Sequence, residues 1–144
     1  MKKIFTALLA TFLGCIFMFA FVGCKESATV EHITDISYYS GMKKRADRIE
    51  VNYDNGTQAG FKFTVTDKSD LNDIMEIIFS DTLNDLGEQS KPPMGNTSIT
   101  VYQGGKSYGM GDRFITAGGR LYAFSTSNLH DKIYKLAVKH GAYS

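Results

Sequence analysis

Tryptophan is absent from the 144 residues, and proline occurs only as the pair Pro92-Pro93. There are three histidines, and both cysteines, Cys15 and Cys24, stand near the N-terminus. From Lys25 onward there is no thiol, which excludes an internal disulfide framework and any Cys-bearing metal site. Such a domain must hold itself together by apolar burial. An excess of charge of one sign is lacking too, with 16 Lys and Arg against 15 Asp and Glu. A balanced chain has no long-range field to gather a polyelectrolyte, so no nucleic-acid partner is expected, and a charged partner must be met through a local patch.

What is present begins with Lys2-Lys3 and an uncharged run of 20 residues from Ile4 to Gly23, rich in Leu, Phe, Ile, Ala and Met. A positive start followed by an apolar stretch reads as a secretory signal over 1–23. The alternative is a retained membrane-spanning helix, since about 20 apolar residues suffice to cross a bilayer. Removing the segment leaves 14 basic against 15 acidic residues.

The run closes on Phe21-Val22-Gly23-Cys24, which resembles the lipobox of bacterial lipoproteins, with Phe21 where that family usually has Leu. The resemblance implies that the Cys24 thiol is alkylated by a diacylglyceryl group and that a peptidase then cuts before it, a cut that the small Gly23 admits. Cys15, behind Leu13-Gly14, is a second match, but cutting there would leave Ile16 to Val22 as an apolar stub. The expected mature protein is therefore lipidated at Cys24 and carried by acyl chains on the extracytoplasmic face of the cell membrane. A polar tether over 24–31 would lead to a single domain over 32–144. At roughly 3.5 Å per extended residue, the seven residues Lys25 to Glu31 reach only about 25 Å.

The body is predicted to be α+β, an antiparallel sheet of about six to seven strands covered on one face by two helices. Ile33 to Tyr39, rich in β-branched and aromatic residues, reads as a first strand. Arg48 to Tyr53 alternates Ile49, Val51 and Tyr53 with polar residues, and Phe61, Phe63 and Val65 do the same on the return. Asp54-Asn55-Gly56 is the hairpin signal between them, because Asn and Gly tolerate positive φ. A helix beginning at Asp67 to Ser69 would carry Leu71, Ile74, Met75, Ile78, Leu83 and Leu86 and stop at Gly87. Glu88 to Asn96, with its two prolines, is the internal linker.

Ser98 to Tyr102, Ser107 to Met110, Phe114 to Ala117 and Leu121 to Phe124, with glycine pairs at 104–105 and 118–119, read as a four-strand meander. A last helix carries Leu129, Ile133, Leu136, Ala137 and His140 on one face, with Gly141 as its stop. The two helix starts, Ser69-Asp70-Leu71-Asn72-Asp73 and Ser127-Asn128-Leu129-His130-Asp131, resemble each other. Serine is a natural N-cap in both, so hairpin-then-helix reads as a diverged tandem repeat. Such a domain behind a lipobox resembles the small envelope lipoproteins of unassigned function. Its layout is also similar to the duplicated fold of the β-lactamase inhibitory protein, in architecture only, and this implies no inhibitor activity.

Catalytic and metal motifs fare poorly. Gly105-Lys106-Ser107 resembles the end of a phosphate loop, but Thr100 stands where that motif needs its first glycine. Gly109-x-Gly111 lacks a third glycine. Asp67, Asp70 and Asp73 recur every three residues, whereas calcium loops place oxygens at alternate positions. His32, His130 and His140 are not at ligand spacing, and no Gly-x-Ser-x-Gly occurs. No cofactor, metal or catalytic residue is therefore expected. The binding candidates are the basic run Lys43, Lys44 and Arg45 with Arg48, suited to lipid headgroups or an acidic envelope polymer, and Tyr38, Tyr102 and Tyr122 as an aromatic sheet face. The leading function is a non-enzymatic binding module for an envelope protein, peptide or polymer. A structural or assembly accessory comes second and a small hydrolase third.

Overall fold

The computed structural model describes residues 29–30, 32–57, 60–88, 93 and 97–143. The expected signal segment, Cys24 and most of the expected tether lie outside the described residues. Among the described residues eight strands and two α-helices follow in order: β1 Thr29–Val30, β2 Arg48–Tyr53, β3 Phe61–Val65, α1 Lys68–Ser80, β4 Leu83–Glu88, β5 Ser98–Gln103, β6 Lys106–Gly111, β7 Phe114–Ala117, β8 Arg120–Phe124 and α2 Asn128–Lys139. The fold is α+β, as expected, but the strands divide between two antiparallel sheets of four instead of forming one, in the orders β3-β2-β5-β6 and β1-β4-β8-β7.

The first sheet follows directly from alternation. Ile49, Val51 and Tyr53 of β2 are buried while Arg48, Glu50 and Asn52 are exposed. The register sets Ile49 against Val65 and Val101, and Val51 against Phe63 and Ile99. Val101 faces Tyr108, and Ile99 faces Met110. Directly opposed residues share a face, so one side of this sheet is a continuous apolar surface and the other is polar. The glycine pairs at 104–105 and 118–119 close the β5–β6 and β7–β8 hairpins, with all four residues at positive φ.

Two expectations about single elements are corrected. Ile33–Asp35 and Ser37–Tyr39 are 3-10 turns, not a strand. Ile33, Ile36 and Tyr39 are buried at a spacing of three, the period of that helix, and the Tyr39 hydroxyl donates to the Gly109 carbonyl at 2.6 Å. The first long helix ends at Ser80, and Leu83–Glu88 is a strand paired with β8. There Leu83 is buried and Leu86 is exposed, Leu86 falling at a bulge where Gly87 takes φ 91°. Thr29–Val30, inside the span expected as tether, pairs with Asn84 and Leu83 of β4.

The helix starts also differ from one another. Asp67 caps α1, its carboxylate accepting from the Ser69 and Asp70 amides at 3.0 and 3.1 Å, which puts Ser69 inside the helix. Ser127 is the N-cap of α2, yet its hydroxyl donates to Asp131 at 3.0 Å. The similar pentapeptides thus occupy different helical positions. The end of α2 is as predicted: Gly141, at φ 99°, bonds back to Val138, and Ala142 bonds to Ala137. Leu71, Ile74, Met75 and Ile78 of α1 and Leu129, Ile133, Leu136 and Ala137 of α2 belong to one core with both sheets.

Candidate functional site

The basic run stands in the loop between the second 3-10 turn and β2, and that loop is stitched down. Met42 is buried and Ala46 packs against the core. The Lys43 amide donates to Gln103 Oε1 at 2.9 Å, and Gln103 Nε2 donates back to the Lys43 carbonyl. The Asp47 amide donates to the Tyr102 carbonyl at 2.8 Å, and the Gly104 amide to Asp47 Oδ2 at 2.7 Å. These bonds fix the loop against the β5–β6 turn. Between them opens a cleft of about 470 Å³ lined by Lys43, Arg45, Asp47, Lys106 and Tyr108. A second cleft of about 420 Å³, lined by Arg45, Asp47, Lys68 and Leu71, shares Arg45 and Asp47 with the first.

The four candidate cations separate into two kinds. Lys44 is paired with Glu76 at 2.5 Å, and Arg48 lies 3.7 Å over the Tyr102 ring with its Nε 3.2 Å from Glu50. The Tyr102 hydroxyl donates to the same carboxylate at 2.9 Å, which closes an Arg48–Glu50–Tyr102 triangle on the polar side of the first sheet. Lys43 and Arg45 form no ion pair among the described residues, and neither do Lys68 and Lys106. Lys106 is not among the basic candidates drawn from the sequence, where it stands beside a turn and a failed phosphate-loop match. The Gly104-Gly105 pair was the available signal, since a tight turn at 104–105 sets Lys106 beside Gln103.

The aromatic face is corrected. Tyr122 is 8% exposed and lies in the core, Tyr38 is exposed on a 3-10 turn edge-on to Tyr39, and only Tyr102 stands on the polar side of the first sheet. The three do not share a surface. The polar side itself carries a shallow groove of about 380 Å³ with Glu50, Asn52, Lys62, Thr64, Ser98 and Thr100 in its lining.

A buried acid and a histidine form a further cluster. Asp112 is 1% exposed, its Oδ2 lies 2.8 Å from His130 Nδ1, and its Oδ1 has no partner among the described residues. His130 Nε2 lies 2.6 Å from an Arg113 nitrogen. Both ring nitrogens of His130 are engaged when Nδ1–H donates to Asp112 and Nε2 accepts from Arg113. The outer nitrogen is then engaged, so this pair ties α2 to the β6–β7 link and offers no lone pair to a substrate.

The three acids at 67, 70 and 73 are likewise committed. Asp67 caps α1, while Lys132 donates to Asp70 and Asp73 at 2.8 Å each and Lys139 to Asp70 at 3.1 Å. His140 stacks on Phe63, remote in role from His130. Among the described residues no three metal-binding side chains gather, and no helix is long and apolar enough to cross a membrane. No family model, curated protein or solved structure matches this chain.

Proposed function

We propose that this chain is an exported lipoprotein, cut before Cys24 and held by acyl chains on the extracytoplasmic face of the membrane. Its domain would be a non-enzymatic binding module for an acidic ligand of the envelope. The observation that carries the binding half is the cleft in which Lys43, Arg45 and Lys106 meet without ion pairs among the described residues. Cations held together by a stitched loop repel one another, and an anion seated among them relieves that repulsion through charge-assisted hydrogen bonds. Asp47 is the one acid in the lining, and its Oδ2 accepts from the Gly104 amide. The lipobox carries the anchoring half, because each buried acyl methylene contributes about 0.8 kcal/mol and two chains hold where one is marginal.

Inorganic phosphate is a suitable probe of the cleft. Titrated into the full chain in non-ionic detergent, it should shift the amide resonances of Lys43, Arg45 and Lys106 saturably and weaken as salt rises. Shifts scattered over the surface, or unchanged in Arg45→Gln, would remove the cleft as a site.

A further inference from the structure

We infer that the two basic clefts form one track for a linear phosphate-bearing polymer, with Arg45 as the shared contact. The inference rests on the anion-binding reading of the first cleft and adds the shape of the ligand. Lys106 and Lys43 line the first cleft only, Lys68 lines the second only, and Arg45 with Asp47 lines both. Four cations without ion partners among the described residues thus border two clefts that adjoin at Arg45 and Asp47, with Asp47 the one carboxylate in either lining.

A lone phosphate uses at most the charges of one cleft. A chain of phosphates passing Arg45 meets all four, and the added contacts count without a new binding event, as in any multivalent ligand. Neighbouring Lys44, already neutralised by Glu76, lines neither cleft. The domain is close to neutral, and this local concentration of charge is what would select a polyanion.

The test compares pyrophosphate with long-chain polyphosphate on the full chain in non-ionic detergent. Polyphosphate should bind more tightly per phosphate, and Lys68→Gln should lower its affinity about fivefold while leaving pyrophosphate unchanged. Arg45→Gln should weaken both, and Lys135→Gln, an equal charge change on exposed α2 surface, neither. The slope of log affinity against log salt for polyphosphate should fall by roughly 0.7 in Lys68→Gln, the value for losing one phosphate contact on a single strand. Equal affinity per phosphate, or a Lys68→Gln loss shared by both probes, would overturn the track and leave the anion cleft standing. Binding of neither probe would overturn both readings. Capture on vesicles of anionic lipid with no binding of polyphosphate would assign the track to a bilayer and overturn the polymer.

Discussion

Asp70→Asn tests whether the ion network between the helices holds the fold. Asp70 is 16% exposed and accepts from Lys132 at 2.8 Å and Lys139 at 3.1 Å, while Lys132, 20% exposed, also reaches Asp73 at 2.8 Å. The Asn variant keeps the volume and removes the charge. Exposed pairs are worth about 0.2 to 1 kcal/mol, and breaking a fully buried pair costs about 3 to 5. This site falls between them: Lys139 and Asp73 are more than half exposed, and Lys132 keeps Asp73 as a partner. The loss at neutral pH is therefore about 1 to 2 kcal/mol in urea denaturation. The hydrogen bonds from Lys132, then from Lys139, hold the Asp70 carboxyl below its ordinary 3.8. A depressed carboxyl stabilises fully above its unfolded value, and that contribution fades as pH falls through the lower folded value. The gap between wild type and Asp70→Asn should thus be constant from pH 5 to 7 and narrow below 3.8. Lys132 behaves in the opposite sense: burial pulls its ammonium down, the bonds to Asp70 and Asp73 outweigh burial, and its contribution fades as pH climbs above 10.5. A gap that persisted undiminished into acid would show that Asn acts by packing, not by charge, and would refute the reasoning.

Ile78→Ala and Leu136→Ala remove side chains that are 0% and 3% exposed and should each cost about 2 to 5 kcal/mol in chemical denaturation, whereas Lys44→Ala, losing an exposed pair, should stay within about 0.5. Gly87→Ala forces an alanine into φ 91° at the β4 bulge and should lower stability by about 1 to 3 kcal/mol, read as a shift in the denaturation midpoint; an unchanged midpoint would mean the bulge relaxes. Cys24→Ala should abolish incorporation of labelled palmitate and leave an unprocessed precursor, whereas Cys15→Ala should do neither; labelling that survives Cys24→Ala would end the lipoprotein proposal.

The elements legible in the sequence are those in which one period alone fits. Ile49, Val51 and Tyr53 alternate without ambiguity, and Leu129, Ile133, Leu136 and Ala137 fit a helix and nothing else. Leu83 and Leu86 are three apart, compatible with extending α1, and the competing term is tertiary. Asp81 is buried, with its carboxylate accepting from the Thr82 amide at 2.8 Å, from both Thr126 groups and from Ser125. That knot pulls the chain into an extended conformation after Ser80 and hands Leu83–Glu88 to β8. Ser125 and Thr126 lie over 40 residues away in sequence, so no local window contains them. The binding candidates divide in the same way. Lys43 and Arg45 are visible as a run, while the pairing of Lys44 with Glu76 and the arrival of Lys106 are products of folding.

The division into two sheets has a similarly specific cause. Two-residue links usually fold strands back on each other, and the glycine pairs at 104–105 and 118–119 do so with every φ positive. The link between β6 and β7 is also two residues long, Asp112-Arg113, but neither takes a positive φ. The chain cannot reverse there. Instead the Asp112 amide bonds to the Thr97 carbonyl at 3.2 Å, its carboxylate takes His130, and the Arg113 carbonyl accepts from the Phe124 amide at 3.0 Å. The link is thereby fixed to the first sheet, to α2 and to β8 at once, and β7 starts a second sheet. With β7 diverted, β6 remains an edge strand, and the β5–β6 turn that carries Lys106 closes against the loop of Lys43 and Arg45. The basic cleft thus depends on the residues that split the meander.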